Sequence, residues 1–358
     1  MAIETKHRES NIELFRIIMM LLIVAHHYVV DSGLLGMIAE PPYTWKHYFL
    51  YVFGMWGKIG INCFVLITGY FMCKSEISVR KFLKLLFEIC FYYIVIYLIF
   101  VLCGYEELSA YGIYYALNPC KQIANSFTSC FLIYYLLIPF LNVMVNHLTK
   151  IEHALLIAIC ITFFVIWDRL PGVIYYYNYV GWFCVLHVIA SYIRFYLPKY
   201  MEKAHNRHEV FQIAVWGGVA VLTVIGQCIM IEKGWNMSSP YKWVVDCNAI
   251  AGVISSVMMF IGFKNMRLKY SPIINSIAAS TFGVLLIHAN SDAMRKWLWY
   301  DTLNNMAWCD TPYMVLHAIG SVATIYIICI AIDKVRIYAL EKPTFKLIDK
   351  VLAKYGLK

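Results

Sequence analysis

Apolar runs, each about long enough to cross a lipid bilayer, recur along the whole chain, and few folds accommodate that pattern. They fall at 14–31, 48–73, 82–104, 126–146, 153–167, 180–197, 210–231, 244–263, 273–290 and 313–332. A spanning helix needs roughly 17–25 residues, so the fifth run is short and the second long. Without water in the hydrocarbon layer, each run must satisfy its own backbone, which points to helices. Composition agrees. Hydrophobic residues make up 61% of the chain and charged residues 14%, against about 45–50% and 25% in soluble domains. The expected fold is all-α, a polytopic membrane helix bundle of about ten transmembrane helices, embedded in the lipid bilayer.

The distribution of charge tests that count. In a soluble protein a net charge of +9 would point to nucleic acid; here the basic residues follow topology, and no nucleic-acid partner is expected. With ten spans, 21 Lys and Arg residues fall in the even-numbered connections and the two ends, and 8 near the odd connections. Basic residues concentrate in cytoplasmic loops, so both termini are expected in the cytoplasm. The opening MAIETKHRESN has no small-residue cleavage site, which makes the first apolar run a retained span. The twelve cysteines form no C-x-x-C pair and no metal-spaced cluster, and no metal site is expected. No internal repeat is visible. The reading is one membrane domain over 1–358, with a core of about 11–332 and a basic cytoplasmic tail at 333–358.

Within this frame the stretch Asn11 to Asp31 stands out, because it carries Arg16, His26 and His27 inside an apolar helix. His27 lies eleven positions after Arg16, which puts both on one helical face about 16 Å apart in depth, with His26 turned about 80° away. Ionisable groups inside a membrane are expensive and mark functional sites by default. The plainer alternative has Arg16 reaching to the headgroups and His27, beside Tyr28, at the opposite interface.

Further along, Lys58 and Asn62 share one helical face, and Gly57, Gly60, Thr68 and Gly69 offer small surfaces for a neighbouring helix. Lys74, Arg80, Lys81 and Lys84 follow, serving either topology or as a cationic lip that collects a phosphate-bearing cytoplasmic donor. Pro139 predicts a kink in the aromatic run Ser126 to Asn142. Tyr175, Tyr176, Tyr177 and Tyr179 read as an interfacial aromatic belt, with sugar stacking as the alternative. The ninth run ends at His288, at a depth similar to that of His27, so the two histidines are candidates for a shared site.

Several of these stretches, in order, resemble the integral-membrane acyltransferase-3 family, which includes sugar and surface-polysaccharide O-acetyltransferases. Arg16, ten residues and His27 look like the family's R-x10-H. GINCFVLITGYFM resembles G-V-D-x-F-F-x-x-S-G-[FY], with Asn62 in the place of Asp and Thr68 in that of Ser. SVRKFLKLL is similar to its basic cytoplasmic loop, YYLLIPFLN to a core-helix segment, and STFGVLLIH to S-T-[YF]-x-x-Y-L-x-H, with Leu285 for Tyr. The likeness covers Asn11 to about His288.

The resemblance implies transfer of an acyl group, usually acetyl from acetyl-CoA, to a hydroxyl of a carbohydrate or glycan, in a bacterial inner membrane. Acyl-CoA is then the donor substrate, and no permanently bound cofactor is implied. O-acyl transfer needs a base and a group that stabilises an oxyanion. On this reading His27 is the base, and His288 or Asn62 orients it or holds the oxyanion. Arg16, with Arg80, Lys81 and Lys84, contacts the CoA donor. An acyl-enzyme route through Ser280 or Thr281 is the mechanistic rival. A transporter of lipid-linked sugars or small solutes is the rival function. A polysaccharide polymerase is a third, but it would call for large outer loops with carboxylates, and here the longest outer loop, about 290–312, is modest with Asp292, Asp301 and Asp310 well separated. The acceptor, the acyl chain, the side of transfer and the oligomeric state stay open.

Overall fold

The computed structural model describes residues 9–121, 126–170, 178–197, 206–235 and 239–355. Tyr175, Tyr176 and Tyr177 lie outside them, whereas Tyr179 is described. The longer helices are α1 (Ser10–Val30), α2 (Trp45–Gly54), α3 (Gly57–Met72), α4 (Val79–Leu102), α5 (Ala110–Leu117), α6 (Phe127–His147), α7 (Lys150–Ile161) and α8 (Tyr179–Tyr196). They continue with α9 (Asn206–Glu232), α10 (Ile250–Asn265), α11 (Pro272–Ala278), α12 (Thr281–His288), α13 (Asp292–Lys296), α14 (Met314–Arg336) and α15 (Lys342–Lys354). The described residues contain no strand.

Local signals explain where several of these helices start. Ser78 accepts a bond from Lys81 N at the start of α4, Asn178 from Gly181 N at the start of α8, and Thr149 with Glu152 forms a reciprocal capping box on α7. Pro139 sits inside an unbroken α6.

Among the described residues, seven helices or helix pairs are long and apolar enough to cross a membrane, and an eighth counts if α11–α12 and the segment from Asp292 to Thr302 form one bent span. The other two expected runs, 153–167 and 244–263, fall on shorter helices. The first is α7, which continues into a π-turn at Thr162–Ile166. The second shortens to α10 because its opening residues turn away from helix: Asp246 pairs with Arg169 at 3.2 Å, and Asn248 Nδ2 donates to Phe164 O at 2.7 Å.

α1 is the central helix, packing on α2, α3, α10, α11, α12 and α14. Asn11 Nδ2 ties its start to the carbonyls of Phe263 and Lys264 at 2.9 and 3.0 Å, and Phe15 stacks on Phe263 with ring centres 4.4 Å apart. Close approach depends on small residues, since lipid tails give apolar side chains little reason to leave them. A Cβ at Gly60 would lie 2.7 Å from Ile23 on α1, and one at Gly69 would lie 3.0 Å from Ala190 on α8. Both glycines therefore serve the contacts their spacing foretold.

The basic tail continues the last long helix. Residues 314–354 run on as helix, about 60 Å at 1.5 Å per residue, or twice the hydrocarbon thickness of roughly 30 Å. Its second half lies along α4 through ion pairs. Arg336 reaches Glu88 at 3.0 Å, Asp333 at 2.8 Å and Glu341 at 2.7 Å, while Lys84 reaches Glu341 at 2.6 Å. Tyr92 Oη donates to Asp333 at 2.7 Å. A charge with this many partners is buried without being orphaned.

Candidate active site

A cavity of about 730 Å³ opens where α1, α4 and α12 end and where α3, α6 and α8 begin. Its inner wall holds His26, His27, Asp31 and Lys58. Tyr93 and Tyr97 face it from α4, Tyr111 and Tyr115 from α5, and Tyr179 from α8. Glu106, Lys121, Asn290, Asp292 and Arg295 add polar and charged groups. A largely preformed pocket with a few convergent polar groups has the anatomy of a small-molecule site.

The two histidines expected at similar depth do meet. The rings of His27 and His288 pack edge to face, with centres 5.2 Å apart, and His26 lies edge-on to His27 at 5.4 Å. His27 Nδ1 donates to the Asp31 carboxylate at 2.6 Å, one helical turn further on. His288 is fully buried and its Nδ1 donates to the Val284 carbonyl at 2.6 Å. In each neutral ring this bond keeps the proton on Nδ1 and leaves Nε2 as a bare acceptor. His288 Nε2 has no hydrogen-bond partner.

His26 is held separately. Its Nδ1 donates to the carbonyl of Gly54 at 2.5 Å, where α2 ends. The chain then breaks at Met55 and Trp56 and restarts as α3 at Gly57, against the same ring. A Cβ at Gly57 would lie 2.3 Å from His26. The next residue, Lys58, donates from Nζ to Tyr179 Oη and points into the cavity wall.

Asn62 is not brought to the histidines. It is fully buried, and both ends of its amide tie helices together: Nδ2 donates to Cys247 O at 2.7 Å and Oδ1 accepts from Trp182 Nε1 at 2.8 Å. The shared face of Lys58 and Asn62 is nonetheless real, since both meet α8, at Tyr179 and Trp182. Ser280 and Thr281 do not line the cavity either; Thr281 Oγ1 donates to Ala278 O at 2.9 Å.

The expected donor residues lie elsewhere. Arg16 is about three turns deeper on α1 than His27 and does not line the cavity. Arg80, Lys81 and Lys84 are at the far end of α4, about 14–20 Å along its axis from Tyr93. Arg80 pairs with Asp349 at 2.6 Å, Lys84 with Glu341 at 2.6 Å, and Lys81 Nζ donates to Glu76 O at 3.3 Å. The basic stretch is thus bridged in two places to the helical tail.

Two cavity residues outside the spans have displaced titrations. Burial alone would push the Asp31 carboxyl up, but its hydrogen bond from His27, with the charges of His27 and Arg295, holds it at about 2. Burial lowers the Lys121 ammonium to about 8, against the pull of Glu106 and Asp292. Lys121 sits over the rings of Tyr93 and Tyr115, 3.8 and 4.1 Å from their centres. Asp31 was absent from the sequence candidates, although its i+4 spacing from His27 was there to be read. The local i−3 pairing of Arg295 with Asp292 gave no hint of the site, because its other partner, Asp31, follows α1.

Among the described residues, no three His, Cys, Asp or Glu side chains are grouped to hold a metal ion. A family model described as an acyltransferase domain matches residues 9–333. The chain belongs to the acyltransferase-3 family. It is a multi-pass, all-helical membrane acyltransferase, and the cavity wall contains the histidine of the R-x10-H stretch. Neither a curated protein nor a solved structure matches the chain.

Proposed function

We propose that this acyltransferase moves an acetyl group from acetyl-CoA to a hydroxyl of a carbohydrate or glycan, with His27 as general base. The observation that carries the reading is the placement of His27: its Nδ1 is occupied by Asp31, and the residue lines the wall of a tyrosine-lined cavity. Tyrosine rings and scattered charged and amide groups suit sugar faces and hydroxyls. Tyr111 and Tyr115 are themselves stacked, 5.9 Å between centres. A transporter shares the membrane architecture, and a carboxylate–imidazole pair also serves proton relays in transporters; the match to an acyltransferase domain over residues 9–333 favours group transfer.

In this scheme His27 Nε2 takes the hydroxyl proton as the acceptor oxygen attacks the thioester carbonyl. The C–O bond forms, the C–S bond breaks, and the departing thiolate recovers the proton from the imidazolium as free CoA. The tetrahedral oxyanion needs a donor. Neutral His288 is an acceptor at Nε2, and Asn62 is spent on packing, so Lys58 takes that part, with ammonium protons left over from its bond to Tyr179. The donor enters from the end marked by Arg80, Lys81 and Lys84, past Arg16, and the acceptor from the cavity mouth. The membrane is that of a bacterial cell, on the family's usual pattern.

The test is acetyl-CoA turnover by the purified protein in nanodiscs, comparing wild type with His27→Ala. Removal of a general base is expected to cost roughly 10²–10⁴ in rate, with a monodisperse, folded protein. Full activity in His27→Ala would end this assignment. Flux of a sugar independent of acetyl-CoA would replace it with transport.

A further inference from the structure

We propose that Asp31 is the positioning carboxylate of the site and that Arg295 anchors it, so that one ion pair sets the geometry of both histidines. This rests on the reading of His27 as base. Asp31 Oδ2 accepts from His27 Nδ1 at 2.6 Å and lies 3.5 Å from Arg295 Nε. The carboxylate is only 18% exposed, which separates it from ordinary solvated surface pairs.

Arg295 reaches Asp31 from a telling place. α12 ends at His288, the chain bends by 93°, and α13 carries Arg295 back towards the end of α1. Holding Arg295 on Asp31 therefore also holds the end of α12 against α1, where the two imidazoles meet. The guanidinium is steadied in turn by Asp292, 2.9 Å from Nη1.

Two effects follow for His27. The carboxylate fixes the proton on Nδ1, so that Nε2 is the accepting nitrogen whenever the ring is neutral. It also supplies a counter-charge to the imidazolium formed during transfer. The other charged or titratable groups around His27 are His26 on its own helix, His288 on α12, Arg295 on α13 and Lys58 on α3; Asp31 is the anion among them.

The experiment measures acetyl-CoA turnover in nanodiscs across pH 5–9 for wild type, Asp31→Asn, Asp31→Glu, Arg295→Gln and His27→Ala, each shown to be folded by gel filtration. Asp31→Asn is expected to lower kcat by roughly 10²–10⁴, the upper end being the loss seen when the carboxylate behind a general-base imidazole becomes an amide, with KM for acetyl-CoA unchanged. Its acid limb should move to lower pH, because the imidazolium loses its counter-charge. Arg295→Gln should move the same limb to higher pH, and Asp31→Glu should recover part of the rate. A purely structural role would reduce the yield of folded protein and leave the limb in place. The proposal falls if Asp31→Asn keeps the wild-type rate and profile while His27→Ala is inactive. Full activity in His27→Ala overturns the base reading, and this proposal with it.

Discussion

Trp182 donates its indole N–H to Asn62 Oδ1 over 2.8 Å, from the same helix whose Tyr179 receives Lys58. One face of α3 thus does two different jobs four residues apart: Lys58 borders the cavity, and Asn62 locks the helix in place. The commoner aspartate of the family's pattern would present an oxygen where Asn62 Nδ2 now donates to the Cys247 carbonyl at 2.7 Å. Asn62→Asp is therefore expected to destabilise the protein by about 1–3 kcal/mol, the cost of a buried group left unsatisfied. Thermal unfolding in detergent checks this, alongside turnover per folded molecule, which should change far less than in His27→Ala.

The basic end of α4 is expected to respond to the tail. Asp349 holds Arg80 in an exposed pair, with side chains 46% and 45% exposed. If Arg80 helps collect the phosphates of CoA, Asp349→Asn should free it and lower KM for acetyl-CoA. Exposed pairs of this kind are weak, so the effect should stay within roughly five-fold and shrink with added salt. An unchanged KM would remove Arg80 from the donor path.

A larger effect is expected at Arg336, which is 2% exposed and bonded to three carboxylates. Arg336→Met leaves those acids without their shared cation and should cost about 3–5 kcal/mol, the scale of a buried ion pair stripped of one partner. Unfolding midpoints measure it. Asp333→Asn, which keeps an acceptor for Tyr92, should cost less.

Lys121 supplies a pH signature. Its ammonium titrates at about 8 in the folded protein and near 10.4 in an unfolded chain. Between those values the unfolded state binds more protons, so stability contributed by this site rises with pH. The melting temperature of wild type should therefore gain on that of Lys121→Met as pH is raised from 7 towards 10. Parallel curves for the two proteins would refute the displaced titration.

How much of this could be read in advance depends on what each element needs. The helical runs were legible because an apolar stretch in lipid has one economical backbone solution. The meeting of His27 and His288 was legible as matched depth, since both helices could be counted from the same end. The interruption at Met55 and Trp56 was not, because the second run stays apolar straight through it; the break shows only in how Gly54 and Gly57 close around His26. The bend after His288 was hidden for a related reason, since Arg295 earns its place through Asp31, more than two hundred residues upstream. The docking of the tail was likewise unreadable, as Arg80, Lys84, Asp349 and Glu341 each look like solvated charges until their helices lie side by side.

Gly57 and His26 have no hydrogen bond between them, yet a Cβ on the one would overlap the ring of the other at 2.3 Å. In descent they form a single character. Any lineage that placed a larger side chain at 57 would first have to surrender the imidazole at 26 or re-route the start of α3. The two positions should therefore vary together among homologous chains, glycine accompanying histidine, even where the residues around them drift freely.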